Sequence, residues 1–372
     1  MKTSLLVGAL CTINITATVF CVIFNFPEVA EISYYISTFI LCLFSFANNP
    51  NDYELRFLKR LLFFFFLPIA FHFYVYRDQS VVYFFHYIAS VIAGVTVARY
   101  FTEIPFRLIF ITIVFIEVCA ILFISESGNM AHLNRTYYTV PLVILLFCMV
   151  ISDYYRGVNN SYFSVTLLFI VSILSNSRSV STIVFLLMSA FPIRYILGGR
   201  YSIKALIFFP IALISIAVTL YFMAGIINDL SLLKRFSERG LDSGRFVFWA
   251  YYLTELDYKS IFLGVNVNQL WVTLDDLFFN DGGRHTLHNS FLSLHSHGGI
   301  IPVIFLVFTF LKLVDKNFSN NRGILVIGAF FILIAKANFD VIIFPQRFDF
   351  LMFAVIFFLW SNKKHAASLK AE

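Results

Sequence analysis

The chain has 372 residues, of which 60% are hydrophobic and 13% charged, and its formal net charge is +6. Soluble domains carry about 25% charged residues, so this composition excludes an ordinary soluble fold. The basic residues are dispersed between apolar runs instead of forming a stripe, which sets nucleic-acid binding aside and reads as a membrane-orientation signal.

Apolar runs long enough to cross a bilayer, roughly 20 residues each, recur from end to end. The first, MKTSLLVGALCTINITATVFCVIF, has a lysine ahead of a long apolar stretch and lacks a small-x-small cleavage site. It therefore reads as a retained span, 4–25, and not as a signal peptide. Spans follow at 29–47, 61–76, 80–98, 106–125, 137–152 and 162–175. Residues 162–197 read either as two short spans broken at SNSRS, 162–175 and 179–197, or as one long kinked one. Their length suits two crossings of a core about 30 Å thick at about 1.5 Å per residue. A ninth span covers 205–227, and the remaining ones lie at 289–311, 323–341 and 347–361. Cys11, Cys21, Cys42, Cys119 and Cys148 all fall inside apolar runs without metal-ligand spacing, as small hydrophobes do. The expected fold class is all-α and polytopic, about twelve transmembrane helices in one integral membrane domain, 1–372.

Sidedness follows from the loops. One set of ends carries Arg56, Lys59 and Arg60; Arg99 and Arg107; Arg156; Arg194, Arg200 and Lys204; Lys312, Lys316 and Arg322; Lys363, Lys364 and Lys370. The other set carries only Arg77, Arg135, Arg178, Lys336 and Arg347. The positive-inside rule puts the first set, and both termini, in the cytoplasm. The long connection 228–288, between the ninth and tenth spans, then lies outside. Loops of that length are uncommon and usually functional. Within it, LDSGRFVFWAYYLTEL reads as a short helix capped by Asp242 or Ser243, with Phe246, Trp249, Tyr252 and Leu253 on one side.

Where this connection re-enters the membrane stands RHTLHNSFLSLHSHGG, which holds His285, His288, His295 and His297, half of the eight histidines. Asn289 or Ser290 can cap the next helix, whose N-terminal N–H groups and dipole favour an anion and disfavour a protonated histidine. His288 is thereby suited to accept a proton, as a general base must. Its alternative is a plain hydrogen-bonding role at the interface, and both readings stay open here. A metal held by these histidines with Asp281 is disfavoured, because 297 points away from the face shared by 288 and 295 and no HxxxH pair is present. Arg178, in SILSNSRSVSTIVFLL, sits at the outer start of a span with serines around it. A planar guanidinium there suits a phosphate, and snorkelling to headgroups is the plainer role. Arg245, in the first turn of the outer helix, and Arg284, ahead of the histidines, complete a set that could line one outward cavity and hold a diphosphate. GxSxG, Walker A, Rossmann glycines and CxxC pairs are missing.

Together, SNSR, SGRFVFW and RHTLHNSFLSLHSHGG resemble the O-antigen ligase and O-antigen polymerase superfamily of bacterial envelope proteins. The matching positions are Arg178, Gly244–Arg245 with Trp249, and His288–Asn289 with Gly299, covering roughly 175–302. Pro302 departs from the pattern, since many relatives have a glycine there, which bears on local helix packing. The resemblance implies an inner-membrane glycosyltransferase with a large periplasmic loop, no cofactor and no metal. Its donor is an undecaprenyl-diphosphate-linked oligosaccharide, and a chain-length regulator and a flippase act in the same pathway. His288 is implied as the catalytic base, and Arg178, Arg245 and Arg284 as the diphosphate grip. Polymerase and ligase share these motifs and differ in acceptor, another lipid-linked repeat unit or the lipid A core. The richness in Phe, Ile, Tyr and Asn, shared with variable O-antigen gene clusters, leans toward polymerase. A flippase or transporter would need polar residues along a membrane path, whereas here they gather at one face.

Overall fold

The computed structural model describes residues 2–23, 26–46, 52–78, 80–126, 136–158, 161–174, 245–274, 287, 289–318, 324–339, 341, 343–344 and 347–361. These are mostly helical, and among the described residues there is no strand. The helices are α1 (Lys2–Ile23), α2 (Pro27–Phe46), α3 (Asp52–Leu61), α4 (Leu67–Tyr76), α5 (Ser80–Arg99), α6 (Phe106–Glu126), α7 (Thr136–Arg156) and α8 (Ser161–Leu174). Later in the chain come α9 (Arg245–Thr254), α10 (Tyr258–Leu263), α11 (Val267–Leu274), α12 (Ser290–Gly298), α13 (Ile300–Phe318), α14 (Ile324–Phe339) and α15 (Asp349–Ser361). The spans read at 179–197 and 205–227 lie outside the described residues.

Three helical stretches, Thr3–Cys21, Glu54–Tyr76 and Val81–Arg99, are long and apolar enough to cross a membrane. Shorter apolar helices cover Glu31–Ser45, Ile300–Leu313, Val326–Asn338 and Asp349–Ser361. A helix suits such a setting because it pairs its own backbone groups where no water can. Embedded hydroxyls are accommodated in the same way. Thr12 Oγ1 donates to Gly8 O, Ser37 Oγ to Ser33 O and Ser361 Oγ to Phe357 O, each one turn back. Large apolar side chains such as Phe39, Phe63, Phe115 and Phe308 are exposed, a pattern that suits helices set in lipid.

The stretch read as the span 61–76 is a longer helix that starts at Asp52 and changes register midway. Pro68 has no N–H for the carbonyl one turn back, and the ladder passes through a π-helical turn, Leu62–Phe66, just before it. The core forms where α15 lies along α5, with α2, α3 and α7 around the pair. Gly94 allows the close approach, because a Cβ there would meet Phe353 Cβ at 2.7 Å.

The bundle has two unlike ends. At one, Arg99 pairs with Glu54 at 2.9 Å, Arg107 with Asp153 at 2.8 Å, and Arg60 lies over the Trp360 ring at 5.0 Å. These residues belong to the helix ends that the sequence grouped as basic, and the fold brings them to the same end. The opposite end holds the termini of α4 and α14, the starts of α5 and α15, and the segment α9–α11.

Candidate functional site

The span read as 289–311 is not one helix. It breaks at Gly299 into α12 and α13. Asn289 is extended (φ −149, ψ 120) and caps α12, its Oδ1 accepting from Phe291 N–H at 2.9 Å and Leu292 N–H at 3.0 Å. Its Nδ2 donates to Asn338 O at 3.1 Å, which ties the start of α12 to the end of α14. Two first-turn donors are thus taken by the cap, which weakens the expectation that this helix start offers its N–H groups to an anion. Ser290 Oγ accepts from Ile343 N–H at 3.3 Å.

The break itself has a packing cause. Gly299 adopts φ +72 and ψ −166, and a Cβ there would lie 1.8 Å from Phe262 O. Gly264, at φ +82, would put a Cβ 2.6 Å from the carbonyls of His295 and Ser296. Two backbones therefore touch directly, 262–265 against 295–299, and only glycine fits at either contact. Pro302 falls in the first turn of α13, where an N–H is not needed, and is buried. It helps restart the helix after the break.

The segment α9–α11 docks on this frame. In α9, Trp249 Nε1 donates to Leu287 O at 2.7 Å. Tyr252 O–H meets His295 Nδ1 at 2.7 Å, and His295 Nε2 meets Ile261 O at 3.1 Å. A carbonyl can only accept, so Nε2 carries the proton and Nδ1 accepts from the tyrosine. Burial pushes the Tyr252 phenol up, which keeps it a donor. Leu253, read as sharing a side with Tyr252, is 54% exposed, whereas Tyr252 is buried. Asp257 caps α10 by accepting from Ser260 N–H at 2.7 Å, and the Ser260 donors hold its carboxyl below the usual range.

Of the residues singled out from the sequence, Arg178, Arg284 and His288 lie outside the described residues, as do Asp242, Ser243, Asp281 and His285. Arg245 is the first residue of α9. What the fold brings together is the frame beside them. Trp249, one turn after Arg245, bonds to Leu287, which precedes His288. Asn289, which follows His288, is fixed to α12 and α14.

His295 and His297 have scaffold duties. His295 bonds through both ring nitrogens, while His297 Nδ1 donates to Ser293 O and its ring stands edge-on to Tyr83 at 4.2 Å. Among the described residues no three His, Cys, Asp or Glu side chains converge as metal ligands.

No family model matches the chain, and no curated protein matches it. Sequence reading did not find α10, α11 or the ties that hold them. The cap signals for the helices were present, Asp257 ahead of YKSIFL with Gly264 after it, and Asn266 ahead of VNQLWVTL. The ties had no local signal.

Proposed function

We propose that this chain is an O-antigen polymerase. It acts at the periplasmic face of the inner membrane and extends a lipid-linked glycan by metal-independent glycosyl transfer. The reading rests on the ordered motifs SNSR, SGRFVFW and RHTLHN, and one observation carries it furthest. The Trp249–Leu287 bond joins the helix that opens at Arg245 to the strand of chain that leads into His288. The second and third motifs, separate in sequence, are therefore neighbours in space, as a shared site demands.

In this reading about twelve spans cross the membrane, both termini are cytoplasmic and 228–288 is periplasmic, in accord with the positive-inside rule. The clustering of Arg60, Arg99 and Arg107 at the end away from α9–α12 supports that orientation. The chemistry needs few groups. A sugar hydroxyl of the acceptor repeat unit attacks the anomeric carbon of the donor glycan. The bond from that carbon to the diphosphate oxygen breaks, and undecaprenyl diphosphate leaves with the electron pair. His288 takes the hydroxyl proton. Arg178, Arg245 and Arg284 stabilise charge on a leaving group that needs no acid to depart.

Deletion in the native host, with lipopolysaccharide resolved on a gel, tests this reading. A ladder that collapses to core plus one repeat is expected. Bare core with accumulated lipid-linked polymer would make the protein a ligase. Repeat units stranded on the cytoplasmic face would make it a transporter.

A further inference from the structure

A buried histidine and a buried carboxyl face each other at the same end of the bundle as α9–α12, and the reaction above does not use them. His72, near the end of α4, is fully buried, with Nδ1 2.5 Å from Leu263 O and Nε2 3.4 Å from Asp78 Oδ2. Since the carbonyl only accepts, Nδ1 is the donor to Leu263. The same Asp78 oxygen accepts from Val267 N–H at 2.8 Å. Val267 is the first residue of α11, so the carboxylate sits at the positive end of that helix, where a negative charge is favoured. Between these contacts Tyr76 O–H donates to Gly264 O at 3.1 Å, and Lys259 Nζ lies 5.1 Å over the Tyr76 ring. His72, Tyr76 and Asp78 thus hold residues 263, 264 and 267, successive points on the α10–α11 connection.

The stretch held in this way is the one that presses on α12. Val265 N–H donates to Ser296 O at 3.2 Å, and Ile261 O accepts from His295 Nε2 at 3.1 Å. Gly264 and Gly299 leave no room for slippage between the two backbones. α12 then transmits the register, since its far end carries His295 and Ser296 and its near end starts beside Asn289, the residue after His288. Removing a histidine and a carboxylate from water is costly, and apolar residues would fasten two elements as firmly. What a polar pair adds is one defined geometry for the fastening.

We propose that His72 and Asp78 are positioning residues for the glycosyl-transfer site, registering the α10–α11 connection, and through it α12, against the end of α4. The proposal rests on the function assigned above.

The test uses the full-length protein reconstituted with a synthetic lipid-diphosphate-linked repeat unit, together with amide hydrogen exchange over 258–270. Asp78→Ala is expected to speed exchange at 261–267 by about 10-fold or more. It should also lower kcat by about 10-fold or more, the scale of loss that follows when reacting groups are misplaced, with KM for the donor within about 2-fold of wild type. Asp78→Asn keeps an acceptor for Val267 N–H and should recover much of both losses. Val267→Pro removes that N–H at a first helical position, where proline is accepted, and should mimic Asp78→Ala. Combining the two should add little, while Val267→Ala, which keeps the N–H, should lie near wild type. Unchanged exchange in Asp78→Ala would overturn the latch. Faster exchange with unchanged kcat, or a loss confined to KM, would overturn the positioning role alone. A wild-type protein that exchanges as stated but turns over no repeat unit would overturn the function reading, and the positioning role with it.

Discussion

Gly299→Ala probes how the α9–α11 segment is seated on α12. At φ +72 and ψ −166 the residue occupies a region that costs a side-chain-bearing residue about 1–3 kcal/mol. A Cβ there would also lie 1.8 Å from Phe262 O and 2.3 Å from Phe262 C, so backbone, not a flexible side chain, must give way. Forced displacement of packed atoms adds about 1–3 kcal/mol, for a total of about 2–6 kcal/mol. Gly157 supplies the control, with φ +68 and nothing within 4 Å of the position a Cβ would take. Alanine at 157 carries the backbone strain without the collision. Both variants, purified in detergent, should be compared by thermal unfolding and by the rate of proteolytic cleavage within 245–274. Gly157→Ala should lower the melting temperature slightly and leave cleavage unchanged. Gly299→Ala should lower it further and expose 245–274 to the protease. Equal effects of the two substitutions would refute direct contact between the 262 and 299 backbones.

Tyr252→Phe strips His295 Nδ1 of its donor in a buried site and should cost about 1–3 kcal/mol, seen as faster exchange in α9 with the rest of the bundle unchanged. Exchange equal to wild type would show that the bond does not hold α9. Both carboxyl oxygens of Glu117 are buried with no hydrogen-bond partner among the described residues, so Glu117→Leu should raise the melting temperature. A lower one would mean the carboxyl has a stabilising role. Arg178→Lys should leave membrane levels intact and cut polymer formation sharply, since lysine offers a point charge where a diphosphate takes a planar fork. Near-normal ladders would return Arg178 to an interfacial anchor.

The helix positions were legible because an apolar run of fixed length is a one-dimensional property. The ends of α1, α2, α5, α6, α7 and α15 follow the hydropathy closely. The cap at Asn289 was legible for a similar reason, since an Asx ahead of an apolar run is a local signal. The break at Gly299 was not. The residues around it continue the apolar pattern, and what stops the helix is the carbonyl of Phe262, distant in sequence. Likewise, Tyr252 and Leu253 are adjacent, and a pattern alone gave no way to see that only the first meets His295. The pairing of His72 with Asp78 joins the end of α4 to a turn that reads as a plain loop, and Val267, the third member, is far along the chain. The grouping of helix ends by charge has a structural counterpart, because Arg99–Glu54 and Arg107–Asp153 close between ends in the same group.

The most direct test of the central claim is turnover by purified His288→Ala beside wild type, both reconstituted with a defined undecaprenyl-diphosphate-linked repeat unit. Polymer length and released undecaprenyl diphosphate are the readouts, with and without chelator. Wild type should extend the glycan and release the lipid diphosphate equally in both conditions. His288→Ala, at an unchanged melting temperature, should lose about 10²–10⁴ in rate, the scale expected when a general base is removed. Wild-type turnover by the alanine variant, or activity abolished by the chelator, would contradict a metal-independent transfer with His288 as its base.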